Sequence, residues 1–233
     1  MFSTRGVRIL RVAAGEAAAA ARLGEIGDRS RVGVALGSHG EHPAAEELLQ
    51  LFPHWRPSGE SPWRGGWDFG SFARAGGYDF LGFYRRKVDI ATSVLAVACD
   101  CEGPTVSICS ACAAGAQAVG EAARLIRDGK ADAMLAGGCE SALSYVGFLG
   151  FILLTALAEK YESPERASRP FDRKRNGFVM SEGAGALVLE ELGHARARRA
   201  PILGEVLGYG DSADAFRITD MHPKGLGAVL AMR

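Results

Sequence analysis

Neither sign of charge prevails in this chain. The 27 Asp and Glu residues are balanced by 27 Lys and Arg, so no global field steers it towards nucleic acid or an anionic membrane surface. Long hydrophobic runs are missing as well. The opening stretch, MFSTRGVRILRVAAGEAAAAARLGEIG, is interrupted by Arg8, Arg11, Glu16 and Arg22, which argues against a signal peptide or a spanning helix there. The most apolar stretch, Tyr145–Ala158 (YVGFLGFILLTALA), is too short to cross a bilayer and is expected to be buried. Cysteine is sparse: Cys99, Cys101, Cys109, Cys112 and Cys139 are too few for a disulfide scaffold and fit a reducing, cytoplasmic compartment. Histidine is equally sparse, and His39, His42, His54, His194 and His222 form no compact set with the cysteines that would complete a tetrahedral metal site.

With 48% hydrophobic residues the chain has enough apolar surface for a sizeable core. An alanine-rich helix is predicted over residues 11–23, followed by a buried strand at Val32–Leu36 closed by Gly37. Residues 40–90 hold all three tryptophans (Trp55, Trp63, Trp67), several Pro and Gly, and little periodicity. This span reads equally as a surface excursion used for binding and as a loop that caps the core. From Thr105 the alternation sharpens into a strand (TVSIC), a helix (AAGAQAVGEAARLIRD) ended by Gly129, and a second strand (ADAMLAGG). One face of that helix carries Gly115, Val119, Ala122 and Ile126, and its small residues permit close approach to a sheet. An Asn176–Gly177 turn, two strands around a Gly-rich turn (FVMSEGAGALVLEEL), a charged helix (EELGHARARRA) and a strand (PILGEVLGYG) follow. The fold class is α/β.

The chemistry concentrates at GPTVSICSACAAGAQAVG, residues 103–120. If Val106–Ser110 is a strand and Ala113 opens a helix, Cys112 stands at the helix N-terminus, where unpaired N–H groups favour a thiolate. A thiolate there can attack a thioester carbonyl, with a neighbouring N–H stabilising the oxyanion, and Ala113, Ala114 and Gly115 leave room for a bulky acyl group. Two other readings stand beside this one. The C-x-x-C of Cys109 and Cys112 and the C-x-C of Cys99 and Cys101 could hold zinc or cycle redox states. Free cysteines are also commonly plain core, the expectation for Cys99, Cys109 and Cys139.

The same stretch resembles the active-site signature of the β-ketoacyl-acyl-carrier-protein synthases, condensing enzymes of fatty acid and polyketide synthesis. ARLIRDGKADAMLAGGCES, ASRPFDRKRNGFVMSEGAGALVLEEL and GYGDSADAFRIT are similar to consecutive blocks of that family, in the same order. The resemblance is strong over 92–233, weaker over 7–40 and faint over the divergent segment 41–91. It implies a β-ketoacyl synthase N-terminal domain over 1–233, about the N-terminal half of a thiolase-like fold layered α-β-α-β-α. The family's opening strand is lacking, and Gly6–Leu10 is expected as its remnant.

By the resemblance Cys112 is the acyl-accepting nucleophile and its own N–H an oxyanion donor. Phe151 falls where the family lines its acyl pocket, or is plain core; Thr219 falls near the phosphopantetheine tunnel, or caps a turn. Glu140, Asp172, Glu182 and Asp214 are framework. The implied partners are acyl carrier protein and a second copy or a complementing ketosynthase chain, with no nucleic acid and no membrane; substrates ride on the carrier's phosphopantetheine, and no cofactor or metal is needed. The family draws the donors for decarboxylative condensation from an HGTGT-like loop and a K…GH stretch, neither of which has a counterpart in these residues, and all five histidines read as surface or structural. A half of this fold leaves a large apolar face for a second polypeptide to cover. The alternative is a non-catalytic partner subunit resembling a chain-length factor, against which the retained Cys112 argues.

Overall fold

The computed structural model describes residues 4–59, 61–77, 79–217 and 220–233. Its first helix, α1 (Arg5–Ala20), starts earlier than predicted because Val7, Leu10 and Ala14 recur at helical spacing and bury one face. Gly6–Leu10 is therefore the first turns of a helix, not the remnant of a strand. The buried strand β1 (Val32–Gly37) follows, its six residues buried on both faces.

The segment predicted to wander over the surface has local order. It contains α2 (Ala45–Leu49), a two-stranded antiparallel ribbon of β2 (Trp55–Ser58) and β3 (Ser61–Trp67), then α3 (Phe69–Ala75) and α4 (Phe80–Arg85). Asp68 and Asp79 cap the last two helices, each accepting a backbone N–H at 2.8 Å. Trp55 and Trp67 are paired residues of the ribbon, their rings edge to face at 5.0 Å.

The helix α5 (Val88–Ala98) then leads to the strand, helix, strand unit of β4 (Thr105–Ile108), α6 (Ala114–Arg127) and β5 (Ala133–Ser141). The apolar helix α7 (Tyr145–Leu153), strand β6 (Glu182–Glu190), α8 (Leu192–Ala197) and α9 (Leu226–Ala231) complete the order.

One sheet organises these elements, in the order β4-β1-β5-β6. β1 runs parallel to β4 and β5, and β6 runs antiparallel to β5 in unbroken register from Ala133↔Glu190 to Ser141↔Glu182. Helices cover both faces, as parallel strands require. On one side α1 and α5 enclose Leu10, Leu36, Leu95 and Leu135; on the other α6 lays Ala118 and Ala122 against Ala35, Met134 and Ala136. The buried stripe of α6 is thus Ala114, Ala118 and Ala122, a turn apart, with Val119 and Ile126 only partly covered.

Three expectations fail. Pro201–Gly210 forms no strand, and Phe178 makes only a lone bridge to Leu157 in place of a strand before β6. α7 is exposed, with Tyr145 at 83%. In each case the side chains are apolar enough, but the described residues cover them only in part, as Phe178 does Phe151.

Ion pairs clamp the sheet ends. Arg31 and Asp132, which precede β1 and β5, meet at 2.7 Å; Arg5 of α1 holds Glu182 at the start of β6, and Glu190 at its end accepts from Arg198 and His194. The hydrogen bonds from Arg31 and Arg5 hold the Asp132 and Glu182 carboxyls below their usual range. Burial alone would push Glu190 up, but its bonds to Arg198 and His194 outweigh that and leave it low. Groups depressed in the folded state add stability that is full above the unfolded value, about pH 4, and lost as pH falls through the folded one. The urea midpoint should therefore drop on acidification below about pH 4, and by less in Arg31→Ala. A midpoint indifferent to acid would contradict these pairs.

Candidate active site

Cys112 sits in a sharp turn between β4 and α6. Ser110 stands outside both the extended and the helical regions, at φ −140° and ψ 44°, and Ala111 has a positive φ of 49°, unusual for a residue with a Cβ. A single 3-10 turn, Ala111–Ala113, then runs into α6. The Ser110 hydroxyl donates to the Gln117 side-chain carbonyl, tying this turn to the second turn of the helix. No side chain caps α6, whose N-cap is Ala113, and the Cys112 N–H has no hydrogen-bond partner among the described residues. The thiol is exposed. A sulfur nucleophile and its own backbone N–H, unpaired among the described residues, are thus side by side at a helix mouth.

The sheet allows this arrangement through Gly37, at the end of β1. A Cβ there would stand 2.3 Å from the carbonyl carbon and 2.5 Å from the oxygen of Ala114, so only glycine lets the start of α6 rest directly on the strand end. Neither Gln117 nor Gly37 was singled out as a site residue from the sequence. The signal for Gly37 was its place closing a buried strand; Gln117 carried none beyond its polarity on an otherwise small-residue helix.

The remaining cysteines separate by burial. Cys109 is exposed, not core as expected, because β4 is an edge strand and residue 109 lies beyond its last paired position, Ile108. Burial pushes the Cys101 and Cys139 thiols up to about 11 and raises Cys99 too. In a pulse of iodoacetamide at neutral pH, Cys109 and Cys112 should be modified first, with Cys101 and Cys139 slower by about a hundredfold for want of thiolate. Peptide mapping reads the order, and equal rates at Cys101 would contradict it. Among the described residues no three His, Cys, Asp or Glu side chains gather as a metal set.

Phe151, half-buried on α7, packs its ring edge-on against Phe178 at 5.2 Å. Thr219 lies outside the described residues. Glu140 meets His39 at 3.1 Å, Asp172 accepts the Lys174 N–H at 2.6 Å, and Asp214 accepts the His222 and Gly227 N–H groups at 3.1 and 2.9 Å. Among the described residues no histidine is hydrogen-bonded to Cys112; His54 pairs with Ser71 and His194 with Glu190. No described helix is long and apolar enough to cross a membrane.

Known proteins share this arrangement. The chain is 48% identical over 149 residues to 3-oxoacyl-[acyl-carrier-protein] synthase 2 of Rhizobium meliloti (strain 1021), an alignment covering 64% of this chain and 35% of that protein. The structure of a β-ketoacyl synthase from Burkholderia phymatum STM815 superposes with a TM-score of 0.71 at 30% identity, over 99% of this chain and 55% of that one. A type II PKS acyl-carrier protein in complex with its ketosynthase bound to the hexaketide gives 0.72 at 27% identity, over 97% and 53%. The chain thus spans about a third of its relative's sequence and about half of each solved chain, and the α/β arrangement is that of the N-terminal half of a thiolase-like ketosynthase. The model of the β-ketoacyl synthase N-terminal domain matches residues 3–195. On this match the chain belongs to the β-ketoacyl synthase family.

Proposed function

We propose that this chain is the acyl-accepting part of a β-ketoacyl-acyl-carrier-protein synthase, a single N-terminal domain over 1–233 with Cys112 as nucleophile. The observation that carries the reading is the exposed Cys112 thiol at the uncapped mouth of α6, its own N–H unpaired among the described residues. The Cys112 thiolate attacks the carbonyl carbon of an acyl thioester on the carrier. A bond from Sγ to that carbon forms, the bond to the phosphopantetheine sulfur breaks, and the departing thiolate takes up a proton from solvent, which has received the one Cys112 lost. The Cys112 backbone N–H donates to the oxyanion of the tetrahedral intermediate. Phe151 would line the acyl pocket and Thr219 the phosphopantetheine path, roles that rest on the family resemblance. The acyl carrier protein supplies the substrate, and no metal or cofactor takes part.

Condensation asks for more. Decarboxylating a malonyl thioester leaves a carbanion that needs donors, and the His and Lys stretches the family uses have no counterpart in these residues. A second polypeptide chain of ketosynthase type, in a homodimer or heterodimer, would bring them, in the cytoplasm where carrier-bound substrates are made. The test is incubation with octanoyl carrier protein and, separately, malonyl carrier protein. The expected result is one hydroxylamine-labile acyl group per chain from the first and no carbon dioxide from the second. Absence of any acyl-enzyme would overturn the nucleophile, and steady carbon dioxide release the division of labour.

A further inference from the structure

Little holds the residues around the nucleophile. Ala111, Cys112 and Ala113 are all exposed, so burial does not keep this turn in place. Ahead of it, the Ser38 N–H bonds the Ile108 carbonyl at 3.0 Å and fixes the end of β4; behind it, Ala114 is buried beside Gly37. Between these two anchors the backbone closes the turn with the Ala113 N–H on the Ser110 carbonyl at 3.2 Å and the Ala114 N–H on the Ala111 carbonyl.

The backbone there is one that a chain leaves readily. Ala111 carries a positive φ of 49° without being glycine, a conformation that persists only where its surroundings over-determine it. The usual fastening of a helix start is missing too, since no side chain caps α6. In its place, a single side-chain hydrogen bond among the described residues spans the turn, from the Ser110 hydroxyl to the Gln117 carboxamide oxygen. Gln117 is half-buried near the start of α6, a helix whose Ala118 and Ala122 are packed in the core, so it ties the exposed turn to a fixed element.

We propose that Gln117 is a positioning residue for acyl transfer: through Ser110 it holds the turn that aims the Cys112 sulfur and N–H at the thioester carbonyl. The role rests on the reading of Cys112 as the nucleophile. Gln117 acts through Ser110 and not on the substrate. Losing the bond leaves the sulfur and the N–H in place but lets the turn wander, so they meet the carbonyl in line for a smaller share of the time. The loss therefore falls on the maximal rate of acylation and not on the carrier concentration that half-saturates it.

Three variants of the full chain test it. Gln117→Met keeps the length and helix propensity of the side chain but not the acceptor; Ser110→Ala removes the donor, and Ser110→Thr keeps it. Residue-resolved amide hydrogen exchange reads the tie without any acyl chemistry. Exchange at Ala113 and Ala114 should quicken about tenfold in Gln117→Met and in Ser110→Ala, no further in the double variant, and not in Ser110→Thr. Single-turnover acylation from octanoyl carrier protein should slow about tenfold in the same two variants and in their double, at an unchanged half-saturating concentration, with Ser110→Thr at the wild-type rate. Unchanged exchange, or losses that add in the double variant, overturn the tie. Faster exchange with unchanged acylation, or with a loss seen only as weaker carrier binding, overturns the positioning role. A wild-type chain that takes no acyl group overturns the nucleophile and this role with it, whereas the exchange result still decides the tie, so the two failures are told apart.

Discussion

Cys112→Ser should abolish acyl-enzyme formation, lowering the rate of acyl transfer from carrier protein by about a thousandfold or more while leaving the fold intact. A serine hydroxyl keeps the size of the side chain but not its acidity, and no described side chain at the turn could take its proton. The N–H groups that would stabilise the oxyanion remain, yet without a competent nucleophile there is no tetrahedral intermediate to stabilise. Stability should change little because the side chain is exposed. Single-turnover acylation followed by mass spectrometry, beside a thermal melt, checks both halves. Retained acylation in this variant would show that another residue, most simply the exposed Cys109, accepts the acyl group.

The second large effect concerns a residue that touches no substrate. Gly37→Ala puts a methyl group 2.3 Å from backbone carbon and 2.5 Å from backbone nitrogen at the start of α6. Backbone cannot step aside as a flexible side chain can, so the helix must lift from the sheet, at a cost of about 1–3 kcal/mol. Because Cys112 rides on the turn just ahead of that helix, its sulfur and the N–H groups shift together against the substrate. A displacement of about 1 Å can lower a rate about a hundredfold. Gly115→Ala is the comparison: a Cβ there meets nothing within 4 Å, and a helical alanine should raise stability by about 0.5–1 kcal/mol. Equal melting temperatures for the two variants would contradict the packing of α6 on β1.

The parts that the sequence made legible are those whose partners lie within it. β1, β5 and α6 were readable as elements because the apolar run VGVAL, the run AMLAGG and the small-residue helix between them find one another in the folded chain, although α6 packs through Ala114, Ala118 and Ala122 and not through a face of Gly115, Val119, Ala122 and Ile126. The turn at Cys112 was readable because a strand that gives way to a run of small residues leaves few other paths. Cys109 was misjudged because strand membership was taken to mean burial, whereas an edge strand ending at Ile108 leaves the next residue in solvent. The apolar patterns of α7 and of Pro201–Gly210 were read correctly as patterns and wrongly as buried elements, since pattern reports what a segment is suited to meet and not whether its partner is in the same chain. Gly37 and Gln117 were missed as site residues for a related reason: their roles are contacts with α6 and Ser110 that only the fold brings about.

The central claim is that one cysteine of five accepts the acyl group, and it is tested most directly by site-resolved mass spectrometry of the chain after brief exposure to octanoyl carrier protein. Cys109 and Cys112 are both exposed, so exposure alone would divide the label between them. The account predicts octanoylation at Cys112 with Cys109 unmodified, because of these two Cys112 alone lies in the Ala111–Ala113 turn that opens α6. Label shared between the two, or found on Cys109, would contradict it.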